Sequence, residues 1–358
     1  MASTGHMEPV EALASLGGCP SMIRGKLAVG IAHSRYQPNL AAYEAYLKTC
    51  HLAAKVTPES LKLAQRCYEQ ASELDPAFPL PHIGIGLNWV SVMIFGGRPT
   101  HEAVPAARAA ALKALLLDPA LPEAHALLGL LAALYELDWA AAERHFDHPM
   151  AKQASFTTFR PIYGWMQFQR GNTESAIDLA RRAIEEDSLD VWPRMNLQAY
   201  LQYVGREADA LDQLQKVLEL DPNQVVALVA MSMLVTYRGD LAQGVSLARR
   251  AHTIAPWYPD AVAALAGLLH LQGEAAESQT LAKTLEASDA PVQALFHLLR
   301  GEVDVGADWV EKAIEQRDLS MMIYLRFVAW RELRASNRWP NIAKMLNLPE
   351  TARTSVAL

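Results

Sequence analysis

Small and apolar residues recur along the chain at offsets that fit helices of one repeated size. Ala176, Ala180 and Ala183 stand four and three residues apart, and Ala210, Leu214 and Val217 repeat that spacing. So do Gly244, Ala248 and Ala251, and again Ser278, Ala282 and Leu285. Offsets of four and three place residues on one face of an α-helix, and small side chains there let a second helix approach closely. Each set follows a glycine by five residues, and those glycines, Gly171, Gly205, Gly239 and Gly273, lie 34 residues apart. Glycine takes positive φ without steric cost, which suits the turn between two antiparallel helices. Five residues beyond each small face the helix is expected to stop, at Pro222, Pro256 and, in a third case, Ser188. Proline offers no N–H and its ring blocks a further helical turn.

The second-helix pattern continues outside this stretch. Ala64, Tyr68, Ala71 and Pro76 reproduce it, as do Ala107, Ala111, Ala114 and Pro119. Ala142 and Phe146 fit with a disturbed end at Pro149, and Gly306, Val310 and Ala313 fit after a first helix shortened to about 291–300. About eight helical hairpins are therefore expected between residues 40 and 330. Thr57-Pro58-Glu59 is a helix start, with threonine as cap and proline at the first helical position. Residues 95–100 interrupt one hairpin, and 147–154 form a second irregularity. Residues 319–346 read as one longer helix rich in Arg, Trp and Met, with a short helix after it, capping the array's last apolar face. The expected organisation is a cloning remnant (Met1–Met7) and linker over 1–37, a solenoid over 38–350 and a frayed tail over 351–358. A chain that opens this way is expected to be the carboxyl-terminal part of something longer.

A fixed period of this length means that one supersecondary unit is stacked along an axis. Its length and small-residue pattern resemble the tetratricopeptide repeat, which implies an all-α, right-handed superhelix in one elongated domain. Three stretches are more specific: Pro38 to Lys48 (PNLAAYEAYLK), Tyr135 to Glu143 (YELDWAAAE), and Asn337 to Pro340 (NRWP) followed by Lys344 to Pro349 (KMLNLP). Together they are similar to the carboxyl-terminal repeat regions of bacterial signalling proteins, where the repeats follow a serine/threonine kinase, an adenylate cyclase or a winged-helix regulator. The kinase-linked branch is the most similar. The resemblance implies a regulatory or sensory interaction module and places no catalytic site in this chain.

A net charge of −7 argues against a nucleic-acid backbone as partner. No apolar run reaches the length that spans a bilayer, so direct membrane insertion is not expected. Three cysteines, Cys19, Cys50 and Cys67, make no disulfide framework and favour a reducing compartment. The expected location is the cytoplasm, or the outer side of the membrane if a longer parent is anchored there.

Candidate chemistry is sparse. His145, Asp147 and His148 form one compact group of metal-ligand types at a helix end, too few for a complete site. Gly84-Ile85-Gly86 has no strand before it and fails as a nucleotide loop. No nucleophile elbow, kinase motif or catalytic dyad is present, so neither an enzyme nor a cofactor is expected.

Tetratricopeptide arrays line their concave face with the first helix of each hairpin. Carried onto this chain, the ligand-facing positions include Trp165 and Phe168, then Trp192, Met195 and Tyr203, then Met233 and Tyr237, then His270. Aromatic and methionine side chains anchor interfaces because they bury much area at modest ordering cost. The lysine positions of the family's carboxylate clamp hold Pro161, Met195, Val229 and Ala263 instead, which favours an apolar protein or peptide segment as ligand. Self-association into a scaffold is the alternative from a different class, and an undetected enzyme the weaker one.

Overall fold

The computed structural model describes residues 36–53, 56–95, 98–147, 156–286, 288–318 and 328–350; the side chains of 50, 51, 156–159 and 328 are not among the described ones. The described residues hold eighteen α-helices and no strand. Sixteen pair in chain order as eight hairpins: α1 (Leu40–Ala53) with α2 (Pro58–Leu74), α3 (Leu80–Phe95) with α4 (Thr100–Leu117), and α5 (Pro122–Leu131) with α6 (Trp139–Phe146). Then come α7 (Phe156–Gln169) with α8 (Thr173–Glu186), α9 (Val191–Tyr203) with α10 (Glu207–Leu220), and α11 (Val225–Tyr237) with α12 (Leu241–Ile254). The last two hairpins are α13 (Pro259–Gln272) with α14 (Ala275–Leu285) and α15 (Ala290–Leu299) with α16 (Val303–Glu315). The architecture is an α-solenoid of tetratricopeptide type. Two compact units divide it: Met1–Gly129 with Glu143–Phe159, and Leu130–Ala142 with Arg160–Leu358.

In the first unit, Thr57 caps α2 as the sequence indicates. Its hydroxyl accepts from the Ser60 N–H and the Ser60 hydroxyl accepts from the Thr57 N–H, a reciprocal capping box with Pro58 behind it. Asp75, just past α2, accepts from the Tyr36 hydroxyl at 2.6 Å and from the Asn39 N–H at 2.9 Å, pinning the chain's approach to α1. Phe78 lies within 6.5 Å of the Tyr36, Tyr43 and Tyr46 rings, so an aromatic cluster closes this end. Gly84 and Gly86 sit inside α3, where a Cβ would overlap the Tyr68 ring and Leu127 respectively. They are seats for neighbouring side chains. The extra residues at the turn of the third hairpin, which belong to the second unit, form a π-turn, Ala132–Glu136, closed by Leu137 at φ +54°.

The second unit contains the regular repeats. Gly171, Gly205, Gly239 and Gly273 all have positive φ, from +75° to +96°, and Gly301 takes the same conformation in the last hairpin. Ala176, Ala210, Ala248 and Ala251 are buried on the faces that meet neighbouring helices. At Gly244 even a methyl is too large: a Cβ would overlap the Thr236 hydroxyl and lie 2.9 Å from the Ser232 carbonyl oxygen. Helices α10 and α12 end at Leu220 and Ile254, ahead of Pro222 and Pro256. Consecutive second helices are tied on the outside by a two-pronged Arg249–Glu277 ion pair at 2.6 and 2.8 Å. That pairing raises the arginine pKa and lowers that of the glutamate, in each case chiefly through the hydrogen bonds between them.

The carboxyl-terminal segment departs from the expected long helix. Its described part is a 3₁₀ turn at Val328–Trp330, α17 (Arg331–Ala335) and α18 (Trp339–Met345). Ser336 turns to extended backbone, its hydroxyl accepts from the Arg338 N–H, and Pro340 occupies the first turn of α18. A serine followed four residues later by proline is a stop and a restart, and the apolar pattern alone hides it. The segment does cover the last hairpin: Arg338 pairs with Asp308 at 2.8 Å and Glu311 at 3.0 Å on α16. It also reaches further inward.

Candidate binding groove

The first helices of the hairpins in the second unit supply the aromatic positions. Tyr203 is the last residue of α9 and Tyr237 the last residue of α11, one period apart. Gln169 ends α7, and Leu271 stands one period beyond Tyr237 in α13, so the aromatic run has two members. Phe168 is buried against Tyr200 (ring centroids 4.5 Å apart) and meets Tyr203 edge-on at 5.3 Å. Tyr200 belongs to the buried core; burial raises its phenol pKa well above the ordinary range.

The carboxyl-terminal segment crosses these positions. Its 3₁₀ turn packs against α11 and α15. The Arg331 guanidinium carbon lies 5.0 Å from the Tyr237 ring centroid, and that of Arg334 lies 5.5 Å from the Tyr203 centroid. Arginine above a tyrosine face is attracted by the ring's negative quadrupole. Next to the arginines, Trp330 just before Arg331 and Leu333 just before Arg334 are 1 % and 0 % exposed. The segment runs against the repeat order, since beyond α18 the Trp139 indole N–H donates to the Leu346 carbonyl at 3.3 Å. Next to it the Asn347 amide donates to the Leu137 carbonyl at 2.9 Å, with Asn347 itself at φ +50°. Arg317 completes this junction by donating to the Tyr135 carbonyl at 3.3 Å.

The eight candidate residues fall into three groups. Trp165, Phe168, Met195, Tyr203 and Met233 are buried within the chain, and Trp192 is half-buried at the start of α9, where the Asp190 side chain caps its N–H. Tyr237 remains 40 % exposed beneath Arg331, and His270 is exposed near the end of α13. The structure brings Phe168 and Tyr203 into contact, engages Tyr203 and Tyr237 through the chain's own arginines, and leaves His270 outside this arrangement. The would-be clamp positions Met195, Val229 and Ala263 are buried apolar residues. Sequence reading missed Arg331 and Arg334 as partners of the candidate tyrosines and Trp330 and Leu333 as buried beside them, although the Arg and Trp content of the segment was plain.

His145 of the sequence cluster meets His125 instead, with Nδ1 atoms 3.4 Å apart; Asp147 is exposed and His148 lies outside the described residues. Among the described residues no group of three or more His, Cys, Asp or Glu is placed to hold a metal, and no helix is long and apolar enough to cross a membrane.

Neither a protein-family model nor a curated protein matches the chain. Solved structures do. A monomeric mutant of human IFIT1 with m7Gppp-AAAA aligns at 14% identity over 93% of this chain and 75% of that one, with a TM-score of 0.58. The human IFIT1 dimer with m7Gppp-AAAA aligns at 16% identity over 83% and 67%, with a TM-score of 0.55. YrrB, described as a TPR protein with an unusual peptide-binding site, aligns at 21% identity over 55% of this chain and 95% of its own, with a TM-score of 0.34. At such identities the likeness concerns the fold.

Proposed function

We propose that the chain is a non-catalytic protein-interaction module that binds a protein segment in the groove of its second unit. The observation that supports this most directly is the pair Tyr203 and Tyr237 at equivalent positions of consecutive repeats, each lying under an arginine of one peptide segment. A surface that already accommodates one segment has the shape and chemistry to accommodate another. The motif resemblance supports assigning this module to the regulatory region of a bacterial signalling protein, such as one carrying a serine/threonine kinase. The IFIT1 structures contain m7Gppp-AAAA; for this chain the net charge of −7 speaks against a phosphate backbone as partner.

The test is capture from lysate on immobilised full-length chain, comparing wild type with a Tyr237→Ala variant, at the exposed tyrosine of the groove. A protein retained by the wild type and lost from the folded variant supports the groove. Equal recovery by both, or recovery of the chain alone, overturns the reading and favours self-association.

A further inference from the structure

We infer that the groove recognises a pair of arginines three residues apart beside a large apolar anchor, and that Val328–Ala335 is its resident occupant, which a partner of the same chemistry must displace. This rests on the groove being the binding face.

Arg331 and Arg334 are separated by three residues, so on a helical segment their side chains leave the same face about one turn apart. Tyr203 and Tyr237 are separated by one repeat, so their rings stand at the ends of first helices in consecutive hairpins. The two spacings meet: Arg331 at Tyr237 and Arg334 at Tyr203, at 5.0 and 5.5 Å. The equivalent positions on either side, Gln169 and Leu271, offer no aromatic face. A segment shifted by one repeat in either direction would keep only one ring contact, so the two tyrosines fix register.

Anchoring and selection are separable. Trp330 and Leu333 lose essentially all their exposure and supply apolar burial that many segments could match. The arginines decide which segment is taken. Arg334 is only 9 % exposed, so a segment placing glutamine there would forfeit a cation–ring contact in a site shielded from water. A lysine would keep the charge but lose the planar stacking of the guanidinium. The occupant also enters against the repeat order, which a competing segment must reproduce.

The experiment uses the full-length chain and a fluorescein-labelled peptide of residues 328–338. Fluorescence anisotropy is read for wild type and for the Arg331→Gln/Arg334→Gln chain, whose own segment lacks both arginines. The peptide is expected to bind the variant at least tenfold more tightly than wild type, and a peptide carrying the same two glutamines at least tenfold more weakly. Equal affinity of the two peptides, or of the two chains for the arginine peptide, overturns the inference. A Tyr203→Leu/Tyr237→Leu chain keeps apolar bulk without hydroxyl or ring. It should show no preference for the arginine peptide; a retained preference overturns the assignment to those rings. Failure of lysate capture alongside success here would reject the proposed function and leave the self-recognition standing.

Discussion

The Arg334 guanidinium lies 5.5 Å from the Tyr203 ring centroid and is almost wholly withdrawn from water. A cation so placed is attracted by about 2 kcal/mol, against about 0.5–1 kcal/mol at an exposed site. Arg334→Gln should therefore cost more stability than Arg331→Gln, whose partner Tyr237 is exposed. Urea unfolding of both variants measures the order, and a Tyr203→Leu/Arg334→Gln double-mutant cycle isolates the pairwise part.

Two tryptophans, one at a repeat boundary and one in the carboxyl-terminal segment, should behave oppositely. Trp330 is buried in the carboxyl-terminal segment, while Trp257 is exposed in the turn between α12 and α13. Trp330→Ala is expected to destabilise by about 3–5 kcal/mol, and Trp257→Ala by roughly 0.5 kcal/mol or less. Equal effects in thermal unfolding would contradict the placement of the segment.

Two glycines in one hairpin resist substitution for different reasons. Gly239 has open space around its Cα but φ of +96°, so Gly239→Ala meets backbone strain of about 1–2 kcal/mol. Gly244 is helical, and Gly244→Ala drives a methyl into Thr236 and the Ser232 carbonyl, overpacking at about 1–3 kcal/mol. Adding Thr236→Ser should leave Gly244→Ala still clashing, since the hydroxyl remains, whereas Thr236→Val should not rescue Gly239→Ala. Ala210→Leu and Ala251→Leu belong with the overpacked class, because both alanines are fully buried.

His82 in α3 is half-buried, and burial followed by the nearby Lys113 charge lowers its pKa below the ordinary 6.5. The folded state then binds fewer protons than the unfolded one just below that value. Its stabilisation is present above pH 6.5 and is lost as pH falls through the folded pKa. Thermal unfolding of His82→Gln should depend less on pH between 7.5 and 5 than that of wild type; an unchanged slope would remove His82 from the account.

Much of this fold is legible in the sequence because the repeat states it several times over. Glycine at one place in each hairpin, alanine at the crossings and Asp221-Pro222 at a helix end each have a local steric cause. The groove was only half legible. Position within the repeat identifies Tyr203 and Tyr237, but nothing local says that residues more than ninety positions away lie across them. Trp139 and Leu346 are joined over a sequence separation of 207, a relationship that no periodicity encodes. The carboxyl-terminal segment was misread because Arg, Trp and Leu at helical spacing outweighed Ser336 and Pro340, the two residues that break it. His125 and His145 met for a similar reason: hairpin pairing, rather than the cluster around His145, decides their neighbours.

Hydrogen–deuterium exchange of the full-length chain tests the central relationship most directly. Wild type should protect the amides of 328–335, and Tyr203→Leu/Tyr237→Leu should speed their exchange by about 5- to 150-fold, as expected for losing roughly 1–3 kcal/mol of cation–ring attraction. Helices α11 to α14 should keep their wild-type protection. Unchanged exchange over Val328–Ala335 in a folded variant would mean that the tyrosines do not hold the segment, and the groove account would fail.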